Sequence, residues 1–178
     1  METLQVKDKK FAVSIPEREI LRQVKRVADE INRDLVETEP LFLAVLNGAF
    51  MFAADLMKEV KLPSEIQFIK LASYEGTTST GSITEMIGLS VSVEGRDVVI
   101  VEDIIDSGLT MKHLIETLQQ KNPRSISICS LLVKPGNLKV DLEVKYRCFD
   151  IPNDFILGYG LDYDGFGRNT RDIYTVVE

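Results

Sequence analysis

Histidine and cysteine are scarce in this sequence. The 178 residues contain one histidine, His113, and two widely separated cysteines, Cys129 and Cys148. A single imidazole excludes metal sites built from several histidines and most chemistry that relies on a histidine base. The cysteines favour buried thiols in a reducing cytosol over a disulfide framework or a zinc site. Carboxylates and ligand phosphates must therefore hold any bound metal, which favours magnesium.

Basic residues and long apolar runs are also few. The chain has 21 Lys+Arg against 28 Asp+Glu and a net charge of -7, so it lacks the basic surface that is typical of nucleic-acid binders. Residues 1–14 contain no apolar core of a secretory signal, and no run approaches the length of a membrane span. We therefore expect a cytoplasmic protein without a nucleic-acid or membrane partner.

The apolar pattern predicts one α/β domain over residues 1–178, since 178 residues suffice for a single core. A capping-box pattern at Ser14 and Glu17 predicts the start of a first helix, which helical spacing extends to about Val36. Continuous apolar runs predict buried strands at 41–46 and 98–101, and further strands are predicted at 66–71 and 126–133 in alternation with helices. We expect a mostly parallel sheet with helices on both faces and ligands beyond the carboxyl ends of its strands.

The segment after the apolar run Val98–Val101 is the most informative. It contains Glu102 and Asp103, then Asp106, then a Ser-Gly-Leu-Thr turn at 107–110. Backbone N–H groups, the helix N-terminus and the turn hydroxyls together predict a phosphate site. Adjacent carboxylates suit ribose hydroxyls or magnesium, so the segment predicts a sugar-phosphate site. The alternative is an ordinary strand, turn and helix with solvated acids and a capping serine.

This segment, Val98 to Thr110, resembles the phosphoribosyl-pyrophosphate signature of type I phosphoribosyltransferases, and within them the hypoxanthine-guanine group. The resemblance implies transfer of ribose 5-phosphate from phosphoribosyl pyrophosphate to a 6-oxopurine base with Mg²⁺ as cofactor. It implies that Glu102 and Asp103 hold the ribose hydroxyls and magnesium, and that Asp106 exchanges a proton with N7 of the base. By the same resemblance the 5-phosphate is wrapped by Asp106, Ser107, Gly108, Leu109 and Thr110.

Two later stretches extend the resemblance to the purine base. Lys134 corresponds to a lysine that donates to O6 of the purine, and its alternative is a solvent-exposed side chain. Phe155 corresponds to an aromatic residue that stacks on the base, and its alternative is a core position. The backbone of Ile156 and Asp162 is implied to read the base edge, with the Asp162 carboxylate near a second magnesium. The terminal segments are expected to form a small hood that binds the base at about 148–168.

Three further stretches are implied to bind pyrophosphate. Arg168 corresponds to the family arginine for this group. The loop Leu46-Asn47-Gly48 corresponds to a family loop that commonly reads Leu-Lys-Gly and has a cis peptide, so Asn47 replaces the usual lysine. Ser73 and Tyr74 begin a Ser/Thr/Gly-rich segment, 73–84, that resembles the family's mobile loop. Such a loop closes over the site and shields the reacting sugar from water.

Three functions are alternatives to this activity: a regulator, a phosphoribosyltransferase for another base, and a receiver domain. A non-catalytic regulator that senses phosphoribosyl pyrophosphate would keep residues 102–110 but lack a base pocket, and would usually carry a basic surface. A phosphoribosyltransferase for orotate, uracil or xanthine fits less well because the segments around Lys134 and Phe155 resemble purine-specific ones. A response-regulator-like receiver would need acids on separate strands. The resemblance also implies a homo-oligomer, either a dimer or a tetramer.

Overall fold

A computed structural model describes residues 3–75 and 82–177, which form two β-sheets and three α-helices. No helix in these ranges is long and apolar enough to cross a bilayer. The elements in chain order are β1 (Thr3–Val6), β2 (Lys9–Ile15), α1 (Glu17–Asp34), β3 (Leu41–Leu46), α2 (Phe50–Glu59), β4 (Glu65–Glu75), β5 (Ser82–Ile87), β6 (Asp97–Ile105), α3 (Leu109–Gln119), β7 (Ser125–Val133), β8 (Tyr146–Asp150), β9 (Ile156–Leu157) and β10 (Ile173–Val176).

The larger sheet has six strands in the order β5-β4-β3-β6-β7-β8. Strands β4, β3, β6, β7 and β8 pair in parallel, and β5 is an antiparallel edge strand. The carboxyl ends of β3, β6 and β7 therefore meet at one edge of the sheet, where their following loops can build a common site. This arrangement confirms the predicted α/β fold with a mostly parallel sheet.

Helices cover both faces of this sheet because successive strand side chains point to opposite sides. Val99 and Val101 of β6 belong to the core cluster that α1 and α2 complete. Val98 and Ile100 of the same strand belong to the cluster that α3 completes through residues such as Leu114. The continuous apolar run of β6 is thus buried on both faces, as its composition predicts.

The smaller sheet joins the two ends of the chain in the strand order β1-β2-β10-β9, and all of its pairings are antiparallel. It confirms the small hood that was expected from terminal segments. Its extent differs from the predicted range 148–168, because only β9 of that range lies in the smaller sheet. Residues 148–150 belong to β8 of the larger sheet.

The predicted capping box at the start of α1 is wrong. Ser14 lies in β2 and its Oγ donates to the carbonyl of Ile173 at 3.2 Å. Pro16 is the N-cap residue, and the Asp172 carboxylate accepts from the Glu17 N–H at 2.7 Å. An acid from the far end of the chain therefore does what the local pattern assigned to Ser14, because the pairing of β2 with β10 brings it there.

Two predicted element boundaries also need correction. Strand β6 continues past Val101 to Ile105 because Glu102, Ile104 and Ile105 pair with β7. The acidic pair therefore lies on the strand and not in the turn. The segment 73–84 was predicted as a loop, yet Ser73 pairs with Thr84 in the β4–β5 ladder. The side chains of Ser73 and Tyr74, and residues 76–81, lie outside the described part of the chain.

An ion pair at the start of β6 is expected to stabilise the fold. Asp97 is 6% exposed and accepts from the Arg124 guanidinium, with Nε to Oδ2 at 3.1 Å, and from the Ser125 hydroxyl at 2.6 Å. The Arg124 hydrogen bond lowers the pKa of Asp97. We expect Asp97→Ala to lower the free energy of unfolding at neutral pH by about 1.5–3 kcal/mol, as for a hydrogen bond to a charged group. Urea denaturation measures this change.

Because the folded-state pKa of Asp97 is depressed, this stability is present above its ordinary value of 3.8 and is lost as the pH falls through the folded-state pKa. The difference in free energy of unfolding between wild type and Asp97→Ala should therefore decrease at acidic pH. Asp29→Ala is the matched control because it removes only the exposed pair with Lys25, for which we expect little change in the free energy of unfolding. Equal losses in the two variants would contradict the prediction.

Candidate active site

The turn after β6 lines a cavity at the start of α3. Gly108 is the N-cap residue and has a left-handed φ of 79°, a conformation that favours glycine. A Cβ at this position would also lie 3.0 Å from Val140 Cγ2. The cavity has a volume of about 220 Å³ and is lined by Glu102, Asp103, Ile104, Ile105, Asp106, Ser107, Gly108, Thr110 and Met111. Amides at a helix start beside such a cavity suit a phosphate.

Backbone amides hold the acidic pair in place on β6. Glu102 Oε1 accepts from the Asp103 N–H at 3.0 Å, and Asp103 Oδ1 accepts from the Ile104 N–H at 2.8 Å. Burial, together with the neighbouring Asp103 carboxyl, raises the pKa of Glu102 well above its usual range. Two adjacent carboxyl groups of this kind gain stability from a bound cation. The pair therefore fits magnesium.

A metal at this pair would need further ligands from a substrate. Within residues 3–75 and 82–177, no group of three or more His, Cys, Asp or Glu side chains could hold a metal ion. Magnesium commonly keeps several waters and binds through one or two carboxylates plus substrate phosphates. Glu102 and Asp103 match that mode of binding.

Lys134 and Asp106 meet beside the cavity at the start of α3. Lys134 follows β7 and is 8% exposed, so the solvent-exposed alternative is wrong. Its Nζ lies 3.6 Å from Asp106 Oδ2, and its backbone N–H donates to the Ile105 carbonyl at 2.9 Å. The Asp106 side chain is 56% exposed. This contact places an ammonium group and a carboxylate on the same side of the turn.

Phe155 presents an accessible ring at the edge of the smaller sheet. It is 44% exposed, so the core alternative is wrong. The Tyr163 ring packs edge-on against it with centroids 5.5 Å apart, and the Phe11 centroid lies 6.1 Å away. Ile156, the next residue, is buried in β9 and pairs with Thr175. A ring held by two other aromatic rings and open on its exposed side can stack on a planar base.

Arg168 and Asp162 pair within the loop that follows β9. Arg168 Nη2 lies 3.0 Å from Asp162 Oδ1, and its Nη1 donates to the Gly160 carbonyl at 2.7 Å. Asp162 Oδ2 accepts from the Gly165 N–H at 2.7 Å. Arg168 is thus held by two partners, Asp162 and the Gly160 carbonyl.

The loop after β3 lies against both the acidic pair and the loop that carries Arg168. The Leu46–Asn47 peptide is cis, as in the family loop that this segment resembles. A Cβ built on Gly48 would overlap the Asp103 carboxylate, and one built on Gly160 would overlap the Gly48 carbonyl oxygen. Gly48 therefore lets the loop after β3 approach the acidic pair closely, and Gly160 lets the Arg168 loop approach Gly48.

Some contacts of the site were not predicted from the sequence. Asn137 donates to Asp106 and to Asn153, and the Phe11 and Tyr163 rings support Phe155. The alternation of apolar residues in β2 is the signal that could have indicated Phe11. An asparagine in a short turn carries no comparable signal.

Comparison with known proteins identifies the family. The phosphoribosyl transferase domain matches residues 15–164 of the chain. The chain belongs to the phosphoribosyltransferase family. The match includes β6, the turn at residues 106–110, named the phosphate turn after its predicted ligand, and the Phe155 segment, whereas Arg168 lies beyond its end.

Individual relatives place this phosphoribosyltransferase in the hypoxanthine-guanine group. A hypoxanthine-guanine phosphoribosyltransferase from Dictyostelium discoideum is 43% identical over 166 residues, which cover 90% of this chain and 91% of the relative. One from Bacillus subtilis is 42% identical, and the match covers 88% of each chain. The crystal structure of a hypoxanthine phosphoribosyltransferase from Staphylococcus aureus has a TM-score of 0.87 at 35% identity, covering 93% of this chain and 91% of that one.

Proposed function

We propose that this phosphoribosyltransferase acts in purine salvage. It converts hypoxanthine, and guanine, with phosphoribosyl pyrophosphate to IMP or GMP and pyrophosphate. The contact between buried Lys134 and Asp106, beside the phosphate turn, carries this proposal. It offers a donor for a 6-oxo group and an acceptor for a purine proton next to a sugar-phosphate site. The names of the relatives support the same activity, and none of them supports the regulator.

In the proposed reaction, N9 of the purine attacks C1 of the ribose as the bond from C1 to pyrophosphate breaks. Asp106 accepts the proton that the base loses from N7, so charge balances as the sugar develops positive character. The turn Asp106–Thr110 holds the 5-phosphate through the start of α3. Glu102 and Asp103 hold the ribose hydroxyls. Most of the catalytic effect comes from positioning these groups.

Magnesium, when bound, neutralises charge on the leaving pyrophosphate. Glu102 and Asp103 would hold it, and Asp162 offers its remaining lone pairs to a second ion. We assign pyrophosphate binding to the loop at Asn47 and Gly48, to Arg168, and to Ser73 and Tyr74. The Asn47 amide replaces a cation in this set.

The base site takes its specificity from four residues in this proposal. Phe155 stacks on the purine, while the backbone of Ile156 and Asp162 reads its edge. Lys134 donates to O6, which favours a 6-oxopurine because a 6-amino group leaves the cation unpaired.

The decisive experiment measures initial rates with phosphoribosyl pyrophosphate and a panel of hypoxanthine, guanine, xanthine and adenine, with and without Mg²⁺. We expect hypoxanthine and guanine to react only when Mg²⁺ is present, and adenine not to react. Binding of phosphoribosyl pyrophosphate without transfer to any base would favour the regulator instead. Transfer to xanthine alone would move the assignment to a different base.

Substitution of Lys134 tests base selection. We expect Lys134→Ala to reduce the preference for hypoxanthine over adenine by about 10- to 100-fold, since a charge-assisted hydrogen bond to O6 is lost. The ratio of kcat/KM for the two bases measures this change. Lys121→Ala removes an exposed lysine beyond α3 and serves as the control. An unchanged ratio in Lys134→Ala would contradict the assigned donor.

We also propose a cytoplasmic homo-oligomer, either a dimer or a tetramer. Exposed apolar residues support the association: Leu21 is 41% exposed and Phe50 is 39% exposed. Both line a groove of about 620 Å³ between α1 and α2. The buried free thiols of Cys129 and Cys148 are consistent with a reducing compartment.

A further inference from the structure

Asn137 is the polar side chain that joins the proposed proton acceptor to the base-binding segment. Its Nδ2 donates to Asp106 Oδ1 at 2.9 Å and to Asn153 Oδ1 at 2.7 Å. An amide nitrogen carries two hydrogens, so both are used. Asn153 lies two residues before Phe155, the ring assigned to the purine. One amide group therefore spans the two parts of the site that must act on the same base.

The backbone fixes the position of Asn137 relative to Asp106. Asn137 ends a short 3-10 turn, Pro135–Asn137, and its N–H donates to the Lys134 carbonyl at 3.0 Å. On one side of this turn the Lys134 N–H donates to the Ile105 carbonyl at 2.9 Å. On the other side the Lys139 N–H donates to the Ser107 carbonyl at 2.9 Å. The turn is thus bound at both ends to the residues that flank Asp106.

The Asp106 carboxylate has little packing to orient it, because its side chain is 56% exposed. Its two oxygens have different partners. Asn137 donates to Oδ1, whereas Oδ2 faces Lys134 Nζ at 3.6 Å. That separation is longer than a hydrogen bond, so Oδ2 keeps a lone pair for another proton. A hydrogen bond at Oδ1 fixes the direction in which Oδ2 points.

We propose that Asn137 is a positioning residue, which holds Asp106 Oδ1 so that Oδ2 receives the purine proton. This inference rests on the proposed transferase function. Because the same amide also donates to Asn153, it holds Asp106 in a fixed position relative to the segment that carries Phe155. An acid at position 137 could not do this, because a carboxylate has no hydrogen to donate and would repel Asp106.

The test compares Asn137→Ala and Asn137→Asp in the full-length enzyme. We expect Asn137→Ala to lower kcat by about tenfold, the lower end for one hydrogen bond to a charged group at an exposed site. The KM for phosphoribosyl pyrophosphate and the melting temperature should not change. Asn137→Asp should lower kcat further, since it adds repulsion to the loss of the donor. A kcat equal to wild type in both variants would overturn the proposal.

A second measurement separates positioning from a general structural effect. If Asn137 acts only through Asp106, Asn137→Ala should have no additional effect on kcat in an Asp106→Asn enzyme. A full tenfold loss in that background would show that Asn137 acts independently, and would overturn the proposal. A wild-type enzyme that transfers ribose phosphate to no base would instead overturn the proposed function, and this inference with it.

Asn32→Ala is the matched control because Asn32 also makes two hydrogen bonds. Its Nδ2 donates to the Glu59 carbonyl at 3.0 Å, and its Oδ1 accepts from the Lys61 N–H at 2.8 Å. This residue joins α1 to the end of α2, away from the phosphate turn. We expect Asn32→Ala to lower the melting temperature without lowering kcat. The opposite pattern in Asn137→Ala identifies positioning; a shared pattern would reduce Asn137 to a structural contact and overturn the proposal.

Discussion

Asp106→Asn is expected to lower turnover of hypoxanthine by at least about a hundredfold, which is the scale for loss of a general acid-base group. Asparagine has the same size and keeps an oxygen that can accept from Asn137. It cannot take up a proton as N9 attacks the ribose. Binding of phosphoribosyl pyrophosphate and Mg²⁺ should be preserved, because the acids on β6 and the amides at the start of α3 are unchanged. Steady-state rates and calorimetry measure the two effects separately.

Asp29→Asn is the control for the loss of one carboxylate. Asp29 is an exposed acid on α1 that pairs with Lys25 at 2.8 Å, remote from the phosphate turn. Its rates should equal those of wild type. Wild-type turnover in Asp106→Asn would refute the assignment of the proton acceptor. A parallel loss of phosphoribosyl-pyrophosphate binding would instead assign Asp106 to substrate binding.

The central strands of the larger sheet could be predicted from the sequence better than the strands near the two ends of the chain. Strands β3 and β6 are covered on both faces, and each contains a continuous apolar run that can be recognised in a short stretch of sequence. Strands β1, β2 and β10 have no such run. Val13 of β2 pairs with Tyr174 of β10, and the chain between them is most of the domain. A pattern within a short stretch of sequence cannot reveal a partner so distant along the chain. For the same reason the sequence assigned the cap of α1 to Ser14, whereas the structure places Asp172 there.

The same holds for the candidate site: a group of residues adjacent along the chain could be predicted, whereas contacts between separate segments could not. The stretch from Glu102 to Thr110 could be predicted because its acids, glycine and hydroxyls are adjacent along the chain. The approach of Gly48 to Asp103 depends on β3 and β6 being neighbours in the sheet. The hydrogen bond from Asn137 to Asp106 likewise requires β7 to lie next to β6. Sheet order sets such contacts, and the spacing of residues does not encode them.

Gly48→Ala should abolish most of the activity while the fold survives. The new Cβ would overlap the Asp103 carboxylate, which lies at the end of a short side chain and can rotate away. That rotation breaks the hydrogen bond from the Ile104 N–H to Asp103 Oδ1 and moves the carboxylate away from the position proposed to bind the ribose and magnesium. We expect kcat/KM for phosphoribosyl pyrophosphate to fall by about a hundredfold, as for displacement of a reacting group by about 1 Å.

Gly136→Ala is the matched control, since a Cβ at Gly136 has no heavy atom within 4 Å. Both variants add one methyl group to a glycine in a loop that follows a parallel strand. The melting temperatures of both should stay close to that of wild type, so that a fall in kcat/KM in Gly48→Ala alone reports on Asp103. Equal kcat/KM values in the two variants would mean that the acidic pair tolerates displacement. The close approach of Gly48 would then serve only the packing of the loop after β3. The proposal that Asp103 binds the ribose would be contradicted.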